Sequence, residues 1–377
     1  VRPVTALAGL RPRLRPEVLI SEPLLHGPRT VHLVKDPVSG RSFEVGPRER
    51  FLMSRLDGAR TLAEAGEEYA GAFGKRLADD HWRRLLALLG GRGLLVAEGA
   101  AAAPSPAPGE SEPRNGPPKG PRNGPLRGSV RLVADAHATA TRLHRVAGFL
   151  LRGPWPAALL VLVAAVETVL VLRLGELLDG AARVFGNPVL LVGVATLLWL
   201  STALHELAHG VAARHYGGRV GEIGLRWRLP VIMMYCTVDN YPYLSVRRHR
   251  VVVAAAGAVT NVLFLVPFFA WWLAAPEGAT REALAGLLFL GSLQALAMLV
   301  PLPPLDGYTI VGQMLGVTRL AESSRGYLAL VLRRDPAAAA YPRRARLAYT
   351  AYGACAVLAA ALLLTALALL TTALLTT

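Results

Sequence analysis

The chain has 377 residues, 53% of them hydrophobic, with a formal net charge of +15 and a mean hydropathy of +0.39. That apolar excess with only 7% aromatic residues is the profile of membrane helices rich in Leu, Ala and Val. Two cysteines, Cys236 and Cys355, are too few for a disulfide framework or a cysteine-ligated zinc. The basic residues are spread through loops rather than interleaved with aromatics on one face, which argues against a nucleic-acid partner. No charged n-region with a short apolar run and cleavage site opens the sequence, so no secretory signal peptide is expected.

Residues 1–98 are expected to form a small soluble α+β domain. Val31–Val34 and Ser42–Val45 flank Asp36-Pro37-Val38-Ser39-Gly40-Arg41, a β-hairpin signal with Pro and Gly in the turn. Three helices are predicted after it. The first runs from Pro47 to Leu56 and stops at Asp57-Gly58; the second starts at Thr61 with the capping-box pattern T-x-x-E ending on Glu64; the third covers Asp79 to Leu89, with Trp82, Leu85, Leu86 and Leu89 at helical spacing. His26, His32 and His81 have no metal-binding spacing. A hairpin plus three helices, with L-D-G-x-R-T-L-x-E from Leu56 and a closing G-L-L from Gly93, resembles the PqqD-like winged-helix domains. That resemblance implies recognition of the leader segment of a precursor peptide, taken up as an extra strand beside a helix. The alternative is a winged helix used for packing or DNA contact.

Residues 99–145 read as a Pro/Gly-rich linker, disordered to about Ser129 with Arg-Asn-Gly-Pro twice, and then a basic approach to the membrane that carries Arg142, His144 and Arg145, with Arg152 just beyond. Residues 146–377 then carry apolar runs long enough to span near 155–173, 188–214, 251–274, 283–302 and 347–374. The loops around 214–250 and 319–346 are densely basic, whereas 174–187 and 275–282 are short and hold comparable numbers of acids. Five spans with a cytoplasmic N-terminus satisfy that pattern. The fold expected is therefore mainly α: a polytopic membrane helical bundle of about five spans in the cell membrane, behind an N-terminal winged-helix domain.

The second run contains His205-Glu206-Leu207-Ala208-His209, an H-E-x-x-H motif. Residues four apart share a helix face, about one turn along the axis, so both imidazoles can reach one metal ion. Glu206 follows the first ligand, where it can act as a general base. A bare match of this kind could be a solvated helix face, but ionisable groups among Leu, Val, Ala and Trp are costly to keep in a span. A catalytic zinc needs a third protein ligand. His215 lies about 9 Å beyond His209 on an unbroken helix and is turned away, so it is rejected. Asp306, in Pro301-Leu302-Pro303-Pro304-Leu305-Asp306-Gly307, follows the fourth run and is the better candidate; a turn-forming Asp-Gly is the plainer reading of it. Glu167 in the first span reads as a packing residue. Gln294 reads as a link between helices, and Gly224 to Asp239 as a strand pair.

H-E-x-x-H in one membrane helix and L-D-G after a later one resemble the site-2 protease family of intramembrane zinc metalloproteases. Ala256-Gly257-Ala258-Val259-Thr260-Asn261 resembles that family's A-G-P-x-x-N segment, with Ala258 in place of Pro, and Met298 stands where the family often has Asn. The resemblance implies a zinc ion held by His205, His209 and Asp306, with Glu206 activating water and Asn261 binding substrate or orienting the site. The site would lie toward the cytoplasmic ends of the spans. The function expected is cleavage of a membrane-associated or ribosomally made precursor peptide during maturation or export. Two alternatives stay open: a regulatory protease releasing a membrane-tethered transcription regulator, and a non-catalytic peptide-binding or export scaffold.

Overall fold

The computed structural model describes residues 5–96, 126–228 and 231–376. The chain divides into two compact units, Val1–Gly120 and Pro121–Thr377.

In the first unit a four-residue helix α1 (Thr5–Ala8) precedes β1 (Leu19–Ile20), β2 (Leu24–His26), β3 (Arg29–Lys35) and β4 (Ser42–Val45). β1, β2 and β4 all pair antiparallel with β3. The β3–β4 turn is held by Asp36, whose carboxylate accepts from the Val38 and Ser39 N–H groups at 3.1 and 3.2 Å and pairs with Arg15 at 2.5 Å. Helices α2 (Pro47–Met53), α3 (Leu62–Phe73) and α4 (Asp79–Gly91) follow. The capping box is present: Glu64 N–H donates to Thr61 Oγ1 and Thr61 N–H to Glu64 Oε2. The first helix ends at Met53 rather than Leu56, because the chain turns inward there to bury Leu56. Val34, Leu52, Met53, Leu62, Tyr69, Trp82, Leu89 and Leu94 form the core.

The second unit begins with β5 (Arg127–Arg131), α5 (Ala136–Ala147) and a 3-10 turn over Gly148–Leu151. The expected linker, 99 to about 129, overlaps β5 at its end. Residues 99–125 of it lie outside the described residues, but 127–131 pair with a strand of the membrane unit. Asp135 then caps α5, accepting from Ala138 N–H at 2.8 Å, and Ala136 and Ala140 are buried. Backbone pairing and a capped amphipathic helix order this stretch despite its polar composition.

Next come α6 (Trp155–Leu172), α7 (Leu174–Gly186), α8 (Pro188–His215), β6 (Val220–Arg228), β7 (Val231–Val238), α9 (Arg247–Ala274), α10 (Ala279–Met298), α11 (Asp306–Leu315), α12 (Leu320–Leu332) and α13 (Arg343–Thr376). Among the described residues, α6, α8, α9, α10 and residues Arg343–Leu362 of α13 are long and apolar enough to cross a membrane. Segment 174–187, expected as a loop, is mostly the helix α7, packed on α10. Gly180 sits so close to Ala285 and Gly286 that a Cβ would collide with them. Arg281 donates to Glu176 at 2.6 Å, and Arg183 pairs with Glu282 at 2.8 Å. The charges that made the segment look like a loop are thus paired across helices. The expected strand pair is β6–β7, and β5 extends it to a three-stranded antiparallel sheet.

Candidate metal centre

α8 is capped at its start by Asn187, whose Oδ1 accepts from Val189 and Leu190 N–H, and it runs unbroken through the H-E-x-x-H segment. His205 and His209 therefore lie on one face, their rings edge to face with centroids 4.8 Å apart. α11 begins at Asp306 and turns back against the end of α10. Gly307 permits that turn: a Cβ there would lie 2.0 Å from the Leu299 carbonyl oxygen.

Three side-chain atoms converge. His205 Nε2 lies 3.2 Å from His209 Nε2, and Asp306 Oδ2 lies 3.0 Å from the first and 3.4 Å from the second. Ligand atoms around a tetrahedral zinc stand about 3.3 Å apart, so the triangle is close to the size that ion needs. Asp306 Oδ2 is buried with no hydrogen-bond donor aligned on it, which fits an oxygen aimed at a cation rather than at either ring. Burial raises the Asp306 carboxyl, but the two imidazoles beside it outweigh that and hold it below the usual carboxylate range. The group meets the donor set of a catalytic zinc site: two imidazoles, one carboxylate and room beside them.

Surrounding groups orient these ligands. His209 Nδ1 donates to the Val253 carbonyl at 2.7 Å, which leaves Nε2 free to ligate. Gly257 of α9 faces the His205 ring, where a Cβ would stand 2.5 Å from ring atoms. Arg250, buried in the first turn of α9, donates through Nε to Gln313 Oε1 at 2.8 Å and so ties α11, which carries Asp306, to α9.

Glu206 faces β7 from α8. Its Oε2 accepts from the Cys236 backbone N–H at 3.0 Å, and Trp199 Nε1 donates to the Ile232 carbonyl at 3.3 Å, so β7 lies along α8. A cleft of about 290 Å³ opens between them, lined by Glu206, His209, Cys236, Tyr241, Val253 and Asp306 among others. Burial and the nearby Glu206 push the Cys236 thiol up to about 12, so its sulfur stays protonated beside the cleft.

The structure brings His205, Glu206, His209 and Asp306 together, from segments about a hundred residues apart in sequence. Asn261 is buried one turn away, where its Oδ1 accepts from Ser201 Oγ at 3.1 Å; it joins α9 to α8 and does not line the cleft. Gln294 Nε2 donates to Thr202 Oγ1 at 2.8 Å and links α10 to α8. Glu167 lies against Ser292 of α10. His215 contacts His144 of α5 instead of the metal group. Sequence reasoning missed Val253 and Cys236, because both act through the backbone. It noted Gly257 only by resemblance, although a glycine one turn before a buried asparagine is a signal of close helix approach. Comparison of the chain with models of known protein families, with curated proteins and with solved structures finds no match to any of them.

Proposed function

We propose that this chain is a membrane zinc endopeptidase of the site-2 type, whose N-terminal domain recruits a ribosomally made precursor peptide for cleavage during maturation or export. One observation carries the catalytic part: the convergence of His205, His209 and Asp306 with Glu206 on the adjoining cleft wall. His205, His209 and Asp306 would hold the ion, which when bound would polarise the scissile carbonyl and acidify water. Glu206 takes a proton from the attacking water as the new C–O bond forms. It returns that proton to the leaving nitrogen as the C–N bond breaks. The cleft beside β7 suits an extended peptide better than a helix, whose amides are already internally bonded.

The recruiting part rests on the first unit. Among the described residues β4 pairs with β3 alone, and a concave space of about 1030 Å³ between the hairpin and α4 is lined by Val31, Phe43, Val45, Leu85 and Leu88. A strand edge beside an apolar helix face is the arrangement used in strand-addition recognition. The winged-helix and PqqD-like readings belong to this proposal. So does the placing of the N-terminus and the metal end of α8 on the cytoplasmic side.

The test is reconstitution of the full chain with zinc in lipid vesicles, incubated with membrane-anchored peptides and followed by mass spectrometry of new termini. Cleavage that requires both zinc and Glu206 supports the proposal. Zinc bound without cleavage of any peptide in the panel would instead favour the scaffold.

A further inference from the structure

The corner where α5 leads into α6 has a composition that zinc chemistry does not use. Between Asp135 and Glu167, between Glu206 and Glu222, and between Asp239 and Glu277, the sequence contains no carboxylate. The fold brings these three acid-free stretches together. His144 Nε2 of α5 lies 3.1 Å from His215 Nδ1 at the end of α8, and Arg214 Nε donates to Thr141 Oγ1 at 3.0 Å. His249, in the first turn of α9, stacks on Tyr216 with centroids 4.1 Å apart. The charged groups acting on these histidines are Arg152, Arg214 and Arg248, together with one another: all are cations or become so. Asp135, the single acid of its stretch, caps the opposite end of α5, about 13 Å along the helix from His144. Burial, then Arg152 and Arg214, hold His144 below the ordinary imidazole range, as expected of a cluster without a counter-ion.

Apolar groups border the cations. Val146 is 76% exposed, Phe149 52% and Trp155 49%, and the last two meet edge to face at 5.7 Å. Arg145 and Arg152, from the same stretch of chain, are exposed too. This corner stands at the start of the first span, where headgroups meet acyl chains and where Trp and basic residues anchor at an interface.

We propose that the α5–α6 corner is a binding site for an anionic phospholipid, with its phosphate among Arg145, Arg152, His144 and His215 and its acyl chains against Val146, Phe149 and Trp155. The cations call for an anion, and the adjoining apolar groups select a lipid over a free phosphate. The site is independent of the metal centre and of any peptidase activity.

Binding would be measured on the full chain in neutral detergent by native mass spectrometry. The probes are phosphatidylglycerol, phosphatidylcholine and soluble glycerol 3-phosphate. Phosphatidylglycerol is expected to bind at least about tenfold more tightly than phosphatidylcholine, and each of Arg145→Gln and Arg152→Gln to weaken it about fivefold. Arg343→Gln, an exposed arginine at the start of α13, is expected to leave it unchanged. His144→Gln should also reduce the preference, by removing the imidazole that meets His215 at this corner. Equal binding of the two lipids, or displacement of phosphatidylglycerol by equimolar glycerol 3-phosphate, would overturn the proposal. So would equal weakening by Arg343→Gln, which would reduce the effect to general surface charge.

Discussion

The backbone N–H of Cys236 donates to Glu206 Oε2 at 3.0 Å, so the edge of β7 is fastened to the carboxylate that follows His205. That bond holds Glu206 on the wall of the cleft that His209 and Asp306 also line. A peptide entering along β7 would pass the same carboxylate.

Glu206→Gln removes the base and keeps the shape, since an amide can still accept from the Cys236 N–H. Metal content and folding should be unchanged, and peptide cleavage should fall by about 10²–10⁴-fold, the usual worth of a positioned general base. Metal analysis with a cleavage assay on the same preparation checks both halves. Unchanged turnover would remove Glu206 from the chemistry.

His205→Ala, His209→Ala and Asp306→Ala should each lose bound zinc, because each contributes one corner of the 3.0–3.4 Å triangle. His215→Ala should keep zinc, since that ring contacts His144. Elemental analysis of the purified full chain separates these outcomes. Zinc loss in His215→Ala with retention in Asp306→Ala would reverse the ligand assignment.

Gly257→Ala tests the support of the first ligand. The added methyl would stand 2.5 Å from the His205 ring, and α9 packs too closely on α8 to yield easily. Zinc affinity should fall on the order of 10–100-fold, the range seen when groups orienting a ligand are changed. Competition with a chelator measures it. An unaltered affinity would show that the His205 ring can shift without cost.

Asp36→Asn probes the N-terminal hairpin. Burial raises the Asp36 carboxyl, but hydrogen bonds from Ser39 and Val38 and the charge of Arg15 lower it further, so the folded value lies below the ordinary one. Its stabilisation is then complete above the ordinary carboxylate pKa and is lost as pH falls through the folded value. The variant should lose about 1–3 kcal/mol at neutral pH and show a flatter acid response. Hydrogen exchange of the β3–β4 segment in the full chain, followed against pH, gives both quantities.

Deleting residues 1–98 should leave zinc binding intact and weaken cleavage of a leader-bearing peptide at low concentration. A tethered binding domain raises local substrate concentration to about the mM range for linkers of suitable length. Saturating peptide should recover most of the rate, because Glu206 is untouched. Identical concentration curves for full and truncated chains would leave the domain without a recruiting role.

The spans, the H-E-x-x-H helix face and the Thr61–Glu64 capping box were legible in the sequence, because each depends on residues within a few positions of one another. Helical periodicity alone brings His205 and His209 to one face, and a run of about 20 apolar residues alone suits a bilayer. The tertiary structure decided the rest. Asp306 reaches the histidines because Gly307 lets the chain pass close to the Leu299 carbonyl at the end of α10 while α11 packs on α9. The Val253 carbonyl and Cys236 N–H act through backbone atoms that every residue possesses, so no residue type marks them in advance. α7 and β5 read as loop and linker because their charges and glycines suit a coil. Partners distant in sequence order them instead: Arg281 and Gly286 for α7, and β6 for β5. Local patterns fix what a segment can become, while long-range packing and pairing determine which of those possibilities has the lower free energy.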